Sequence, residues 1–346
     1  MEEKELFVPG RISLLGGITD LVSKYLPQNE ELIPGNAISV TLDKGIYAKV
    51  KRAEHLSYQF DEKKFICEID ENKLKEIAQS NSFYSYISGT MLYMIKQYDV
   101  SGIDITIQKM DLPMKKGLAS SAAICLVVVK GLNELYDLNL SPNEMVKCAY
   151  EGEHLALSEC GMLDQATIIN NGISKLTFKT GEVEMEKIEV KNPVYFVVTD
   201  LKASKDTKKI MKDFNSCFPF VKDEKQKKVH DLMGVKNKNL VKEAKEAIEM
   251  GDNARLGNVF CKWQNLIDQT DVVCDEMKAP VLHNVLEDEN VKELTFGGKG
   301  TGSGGDGSAI FIAKNKESQD ELIEYLNVEK NMEAFAFCLN PMKNEE

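Results

Sequence analysis

Several ingredients that would place a protein quickly are scarce or missing from this chain. It has one tryptophan, Trp263, and four histidines (His55, His154, His230 and His283) too scattered to suggest a metal site. Its eight cysteines never come closer than 12 residues, so no Cys-x-x-Cys pair supports a zinc ribbon or a redox motif. The longest apolar run, 122–129, is eight residues; a membrane span needs about 18. Basic residues are outnumbered 43 to 55, and a net charge of −12 is a poor balance for gripping nucleic-acid phosphates. The first six residues are acidic and lack the basic start and apolar core of a secretory signal. No segment is repetitive or low in complexity. These absences lead us to expect a cytoplasmic protein with reduced thiols, associated with neither membrane nor nucleic acid.

What is present reads as an ordinary globular chain of 346 residues, long enough for one large domain or two lobes. Residues 37–42 and 46–51 read as strands joined by a hairpin turn at Asp43-Lys44-Gly45. Residues 102–108 alternate, with Ile103, Ile105 and Ile107 on one face, as a half-buried strand does. The apolar spacing predicts helices over 83–98, 118–136 and 142–156, the last opened by Ser141-Pro142 as cap and first-turn residue. After a strand-rich stretch (174–190) comes a strand at 194–199, then helices at 205–214, 237–250, 254–268 and 279–287. Residues 291–296, a glycine-rich loop, a strand at 308–313 and a helix at 318–326 complete the pattern. This is α+β in two lobes, 1–190 and 191–346, rather than alternating βαβ.

Three segments carry chemistry. Seven of the 23 glycines fall in Gly297-Gly-Lys-Gly-Thr-Gly-Ser-Gly-Gly-Asp-Gly307, where main-chain N–H groups can close on an anion. The flanking apolar strands argue against a linker, and the fingerprint Gly300-x-Gly302-x-x-Gly305 lacks the helix it would have to open. The second segment, Asp111-Leu-Pro-Met-Lys-Lys-Gly-Leu-Ala-Ser-Ser-Ala-Ala123, runs from a strand through a loop into an apolar helix starting around Ser120. A helix N-terminus suits phosphate, although for the serines alone a plain N-cap is the simpler reading. No Gly-x4-Gly-Lys-[Ser/Thr] occurs, which excludes a Walker-type loop. The third segment sets Glu151 and Glu153 before Cys160-Gly-Met-Leu-Asp-Gln165. Asp164 stands among Met162, Leu163, Ala166, Ile168 and Ile169, where a carboxylate needs a cationic partner or a chemical role.

Taken jointly, Pro9-Gly-Arg-Ile-Ser-Leu-Leu-Gly-Gly-Ile-Thr-Asp20, Pro113-x3-Gly-Leu-Ala-Ser-Ser-Ala-Ala123 and Gly300-x-Gly-x-Gly-Gly305 resemble the three motifs of the galactokinase–homoserine kinase–mevalonate kinase–phosphomevalonate kinase (GHMP) superfamily. Their order and separation fit, and the resemblance spans nearly the whole chain. It implies a two-lobed GHMP kinase fold, with an N-terminal lobe like domain 2 of ribosomal protein S5 and a ferredoxin-like C-terminal lobe. It also implies ATP and Mg²⁺. Lys116, Gly117, Leu118, Ala119, Ser120, Ser121 and Ala122 would wrap the ATP phosphates, and Ser121 and Glu153 would hold the metal. Asp164 matches the aspartate that orients or deprotonates the acceptor hydroxyl, and Arg11 the basic residue paired with it. Asp20, Gly161 and Gly302 fall to the acceptor side.

The departures bear on the acceptor. Galactokinases and mevalonate kinases carry Gly-Glu-His in motif one; this chain has Gly16-Gly17-Ile18-Thr19-Asp20, a form similar to heptose-phosphate kinases. The segment from Asp200 to Thr207 and the glycine-rich stretch are closer to glucuronokinase-like members, and Asp306 replaces a small residue more usual in motif three. Lys202, Lys205 and Lys208 could reach an acidic sugar or simply line a solvated helix face. The expectation is a kinase for a sugar or sugar-acid hydroxyl, the anomeric one first. Mevalonate-type and heptose-phosphate kinases are the alternatives, followed by a catalytically silent sugar and ATP sensor.

Overall fold

The computed structural model describes residues 3–112 and 118–341. The chain forms two compact units: Met1–Arg11, Val40–Gly172 and Gly181–Val183 in one, Ile12–Ser39, Ile173–Thr180 and Glu184–Glu346 in the other. They interleave along the sequence because two long strands, β1 (Glu3–Leu15) and β2 (Gly35–Arg52), each contribute residues to both. The single boundary near residue 190 expected from the sequence is a different division.

The first unit combines β1 and β2 with β3 (His55–Phe60), β4 (Lys63–Glu68), α1 (Glu71–Ala78), α2 (Ser85–Gln97) and β5 (Ile103–Met110). Helices α3 (Ser120–Leu135), α4 (Pro142–Leu155) and α5 (Leu163–Asn170) complete it. The strand order is β4-β3-β5-β2, with β1 also on β2. As the alternation predicts, Ile103, Ile105 and Ile107 are buried, and β5 pairs antiparallel with β2 (Val50↔Ile105) and parallel with β3 (Tyr58↔Ile105). The apolar run that is too short for a membrane is the buried interior of α3. Ser141 and Glu144 cap α4 reciprocally as a capping box, a device in which the Ser cap is worth about 1 kcal/mol.

The expected hairpin at Asp43-Lys44-Gly45 is absent. Both predicted strands are one strand of 18 residues. Gly45 lies inside it because a Cβ there would fall 2.4 Å from Val8 O. The glycine serves a close backbone approach, which sequence alone cannot tell from a turn.

The second unit follows β2 in strand order with β6 (Ile173–Phe178) and β7 (Val183–Lys187). It then builds an antiparallel sheet from β8 (Val194–Asp200), β9 (Thr295–Gly300), β10 (Ser308–Ala313) and β11 (Glu333–Leu339), ordered β11-β8-β10-β9. Its helices are α6 (Thr207–Asn215), α7 (Glu224–Asp231), α8 (Asn237–Met250), α9 (Asn253–Asp268), α10 (Pro280–Leu286), α11 (Glu289–Leu294) and α12 (Lys316–Val328). Phe196 stacks on Phe260 of α9, whereas the next residue, Val197, joins Leu322 and Leu326 of α12 in the core cluster on the other face. Covering both faces explains why β8 and β10 are almost uniformly apolar. Each such large side chain contributes about 1.5–3 kcal/mol through burial. Residues 291–296 are the end of α11 and the start of β9, and β9 takes the first four positions of the expected glycine-rich loop. A Cβ on Gly298 would strike the Phe311 ring at 2.3 Å, so this glycine makes room for the sheet. Among the described residues no helix is long and apolar enough to cross a membrane.

Candidate active site

In the first unit, helices α2 and α4 cross at two small residues. A Cβ on Gly89 would fall 2.4 Å from Gly152 O, and one on Gly152 would fall 2.6 Å from Thr90 Cα. This approach carries the end of α4 inward, so that Glu153 is 2% exposed. Its carboxyl accepts hydrogen bonds from the side chains of Ser121 and Gln165, and Cys160 also bonds to it. Burial, reinforced by the charge of Asp164, pushes Glu153 up to about 7 against the lowering effect of those hydrogen bonds. Gln165 is fully buried, and its Oε1 has no hydrogen-bond partner among the described residues. His154 faces Cys160 O through Nε2 at 3.0 Å and holds the loop between α4 and α5, a structural place.

Asp164 occupies the first turn of α5. Arg11 Nε donates to its Oδ1 at 2.6 Å, and Arg11 Nη2 reaches the same oxygen at 2.5 Å. The structure therefore brings together the two residues, 153 positions apart, that the motifs assign to one step. Arg11 is itself anchored, its main-chain N–H donating to Leu118 O at 3.2 Å. Leu118, Ala119 and Ala122 are buried, while Ser120 and Ser121 open α3 at intermediate exposure. Ala119 is the N-cap, in the left-handed region at φ 63°, and no described side chain caps the helix. The plain Ser N-cap reading is thus corrected. Both serines lie inside the first turn, and Ser121 turns to Glu153 instead. Lys116 and Gly117 lie outside the described residues.

In the second unit Asp20 is 6% exposed in the first turn of a 3-10 helical stretch, Thr19–Gln28. Gly302 adopts φ +67°, and Gly161 lies between α4 and α5 in the first unit. Lys205 donates to Gly304 O at 3.0 Å and so belongs to the glycine-rich loop, whereas Lys208 is exposed on α6. Asp306, unusual for motif three, has a structural role, since its Oδ1 accepts from Leu282 N at 2.8 Å in the first turn of α10.

Two residues escape the sequence reading. Gln165 counts there only as the tail of a motif, although a glutamine among Leu163, Ala166 and Ile168 also needs hydrogen-bond partners to be buried. Lys299 reads as part of a loop, yet it is 1% exposed in β9, beneath Phe260 and Trp263, and burial brings its amine down to about 7.

A sheet-and-helix fold with a carboxyl under the N-terminus of α3 and an Arg-paired aspartate on α5 resembles the small-molecule phosphotransferases of GHMP type. Residues 85–172 match the GHMP kinases N terminal domain model. Over 349 aligned positions the chain is 27% identical to a galactokinase of Pyrococcus furiosus, covering 92% of each protein. It superposes on Lactococcus lactis galactokinase complexed with galactose with a TM-score of 0.78 at 18% identity, over 98% of this chain and 94% of that one. It also superposes on Methanococcus jannaschii mevalonate kinase (TM-score 0.72, 21% identity, 99% of each chain). The chain is similar to the GHMP kinases over most of its length, and its α+β fold is that of these kinases.

Proposed function

We propose that the protein is an ATP-dependent kinase that transfers the γ-phosphoryl group to a hydroxyl of a small sugar or sugar acid, the anomeric hydroxyl in particular. The observation that carries this is the Arg11–Asp164 pair. Arg11 Nε and Nη2 both reach Oδ1 of Asp164, a geometry in which Oδ2 suits an acceptor hydroxyl. Asp164 fixes that hydroxyl and takes its proton as the new O–P bond forms, a late transfer suited to a loose transition state. Arg11 holds the carboxylate in place and supplies positive charge for the phosphoryl oxygens. Asp20, Gly161 and Gly302 are read as acceptor-binding, and residues 116–122 as the phosphate loop.

The residues at α3 and α4 suit Mg²⁺. They offer hard oxygens, the Ser121 hydroxyl and the Glu153 carboxyl already hydrogen-bonded to each other, beside the unpartnered Gln165 Oε1. No described group of three or more His, Cys, Asp or Glu forms a ready metal cage, and Mg²⁺ is commonly held without one, by one or two carboxylates and the phosphates of its nucleotide. When bound, the ion neutralises charge on those phosphates. The named relatives put galactose first among acceptors, while Gly17-Ile18 in place of Glu-His favours a different sugar. A coupled ADP-release assay against galactose, glucuronate, galacturonate, arabinose, fucose, a heptose 7-phosphate and mevalonate tests the reading. Turnover of one sugar that vanishes in Asp164→Asn supports it; turnover of mevalonate alone, or of nothing while ATP still binds, opposes it. The composition and the absence of a membrane-length helix among the described residues fit a cytoplasmic enzyme.

A further inference from the structure

In the second unit, a chain of buried polar contacts has no part in the phosphoryl chemistry. Trp263 on α9, the only tryptophan, is 4% exposed, and its Nε1 donates to Asn237 Oδ1 at 3.1 Å. Asn237, the first residue of α8, is 2% exposed and donates through Nδ2 to Asn36 O at 2.8 Å. Thr19 Oγ1 lies 2.9 Å from the same oxygen and 2.9 Å from Gly16 O, sharing one proton between them. Thr19 N also donates to Gly16 O at 3.0 Å. Asn36 O is therefore the floor of the turn that leads into Asp20. The fit is tight: Gly16 sits at φ +70°, and a Cβ there would fall 2.0 Å from Asn36 O. At the other end, Lys299 Nζ stands 4.6 Å from the centre of the Trp263 ring and donates to Gly300 O at 2.7 Å. Gly300 N donates to Gln264 Oε1, one residue along α9, at 2.8 Å.

We propose that Asn237 is a positioning residue for the acceptor: it fixes the turn that presents Asp20 and ties it, through Trp263 and Lys299, to the glycine-rich strand. This rests on the reading of Asp20 as an acceptor ligand. The amide suits this place because it must accept from an indole and donate to a carbonyl in a dry site, and only a carboxamide does both at that length. A turn displaced by about 1 Å misplaces a binding carboxylate enough to cost up to a hundredfold in rate.

Asn237→Asp keeps the size and the acceptor for Trp263 but turns an oxygen toward Asn36 O. Trp263→Phe keeps a ring against Lys299 and removes the donor. Each is measured in the full chain by thermal unfolding, by hydrogen exchange of peptides covering 12–22 and 103–110, and by separate KM values for ATP and the acceptor turned over by the wild type. In Asn237→Asp, exchange in 12–22 rises at least tenfold with 103–110 unchanged, and acceptor KM rises at least tenfold with ATP KM within twofold. Trp263→Phe moves both the same way by about two- to fivefold. Wild-type exchange in 12–22 in a folded Asn237→Asp overturns the proposal, as does a rise of both KM values together. If Asn237→Asp does not fold, unchanged exchange and acceptor KM in Trp263→Phe overturn it. If the wild type phosphorylates no sugar, the kinase reading fails by its own assay, and exchange in 12–22 alone decides whether Asn237 holds the turn.

Discussion

Each unit buries a side chain that burial brings to about 7, from opposite directions: Glu153 upward and Lys299 downward. Their surroundings differ. Glu153 is ringed by hydrogen-bonding side chains, has the charge of Asp164 nearby, and adjoins an amide oxygen with no described partner. Lys299 has two aromatic faces and one carbonyl, and makes no ion pair with a described carboxylate. On the proposed reading, a buried carboxyl beside an unsatisfied amide oxygen would suit a cation. A buried ammonium spread over ring faces is complete as it stands. On that reading, the same displacement from ordinary values belongs to a candidate cation site in one unit and to a structural post in the other.

Asp164→Asn gives the largest expected effect and tests the catalytic half of that contrast. Turnover should fall by about 10²–10⁴-fold, with ATP affinity by calorimetry within twofold of the wild type. The same change removes the charge that raises Glu153, so Glu153 should titrate lower. Wild-type turnover would take Asp164 out of the mechanism.

Glu153→Gln comes next, and acts on activity and stability in opposite senses. Its turnover at saturating ATP should fall at least about a hundredfold, because the variant loses the carboxylate proposed to hold Mg²⁺ at the phosphates. In EDTA, however, the variant should be the more stable protein at pH 8. The folded carboxyl holds its proton up to about pH 7, the unfolded one only to 4.5, so wild-type stability falls as pH rises between those values. The advantage of the variant should grow over that window to about 1–3 kcal/mol and then level off. Equal melting temperatures at pH 5 and pH 8 would mean that Glu153 is not strained by burial.

Much of this is legible in the sequence. The helices around α3 and α4, the Ser141 cap, the strand of Ile103, Ile105 and Ile107, and the residues Arg11, Glu153 and Asp164 follow from periodicity and motif. The rest is hidden because glycine signals more than one thing. Gly45 reads as a turn but admits a neighbouring strand; Gly298 reads as a loop but lies in β9 against Phe311. Lys299 escapes notice for the same reason, since a lysine among glycines looks solvated until the strand is known to be covered. Asn237 carries no local signal, because its partners, Asn36 and Trp263, are 201 and 26 residues away.

The smallest expected effect, and the sharpest test of the contrast, is Lys299→Met. If Lys299 is structural, turnover should stay within about threefold while stability moves. The folded amine loses its proton near pH 7, the unfolded one near 10.5. The wild type therefore carries the full penalty below pH 7 and sheds it as pH rises toward 10.5. Methionine, with similar length and no charge, should be more stable than lysine at pH 6 by about 1–3 kcal/mol, since replacing a buried charge by an apolar group of like volume often gains that much. The gain should shrink through pH 8 and 9, the mirror image of Glu153→Gln, whose advantage appears only as pH climbs to 7. Denaturant melts of both variants at pH 6 and pH 9 separate the two cases. A Lys299→Met protein less stable than the wild type at pH 6 would show that the ring faces repay the amine in full. A turnover loss comparable to that of Glu153→Gln would instead move Lys299 into the working site and dissolve the distinction between the two buried charges.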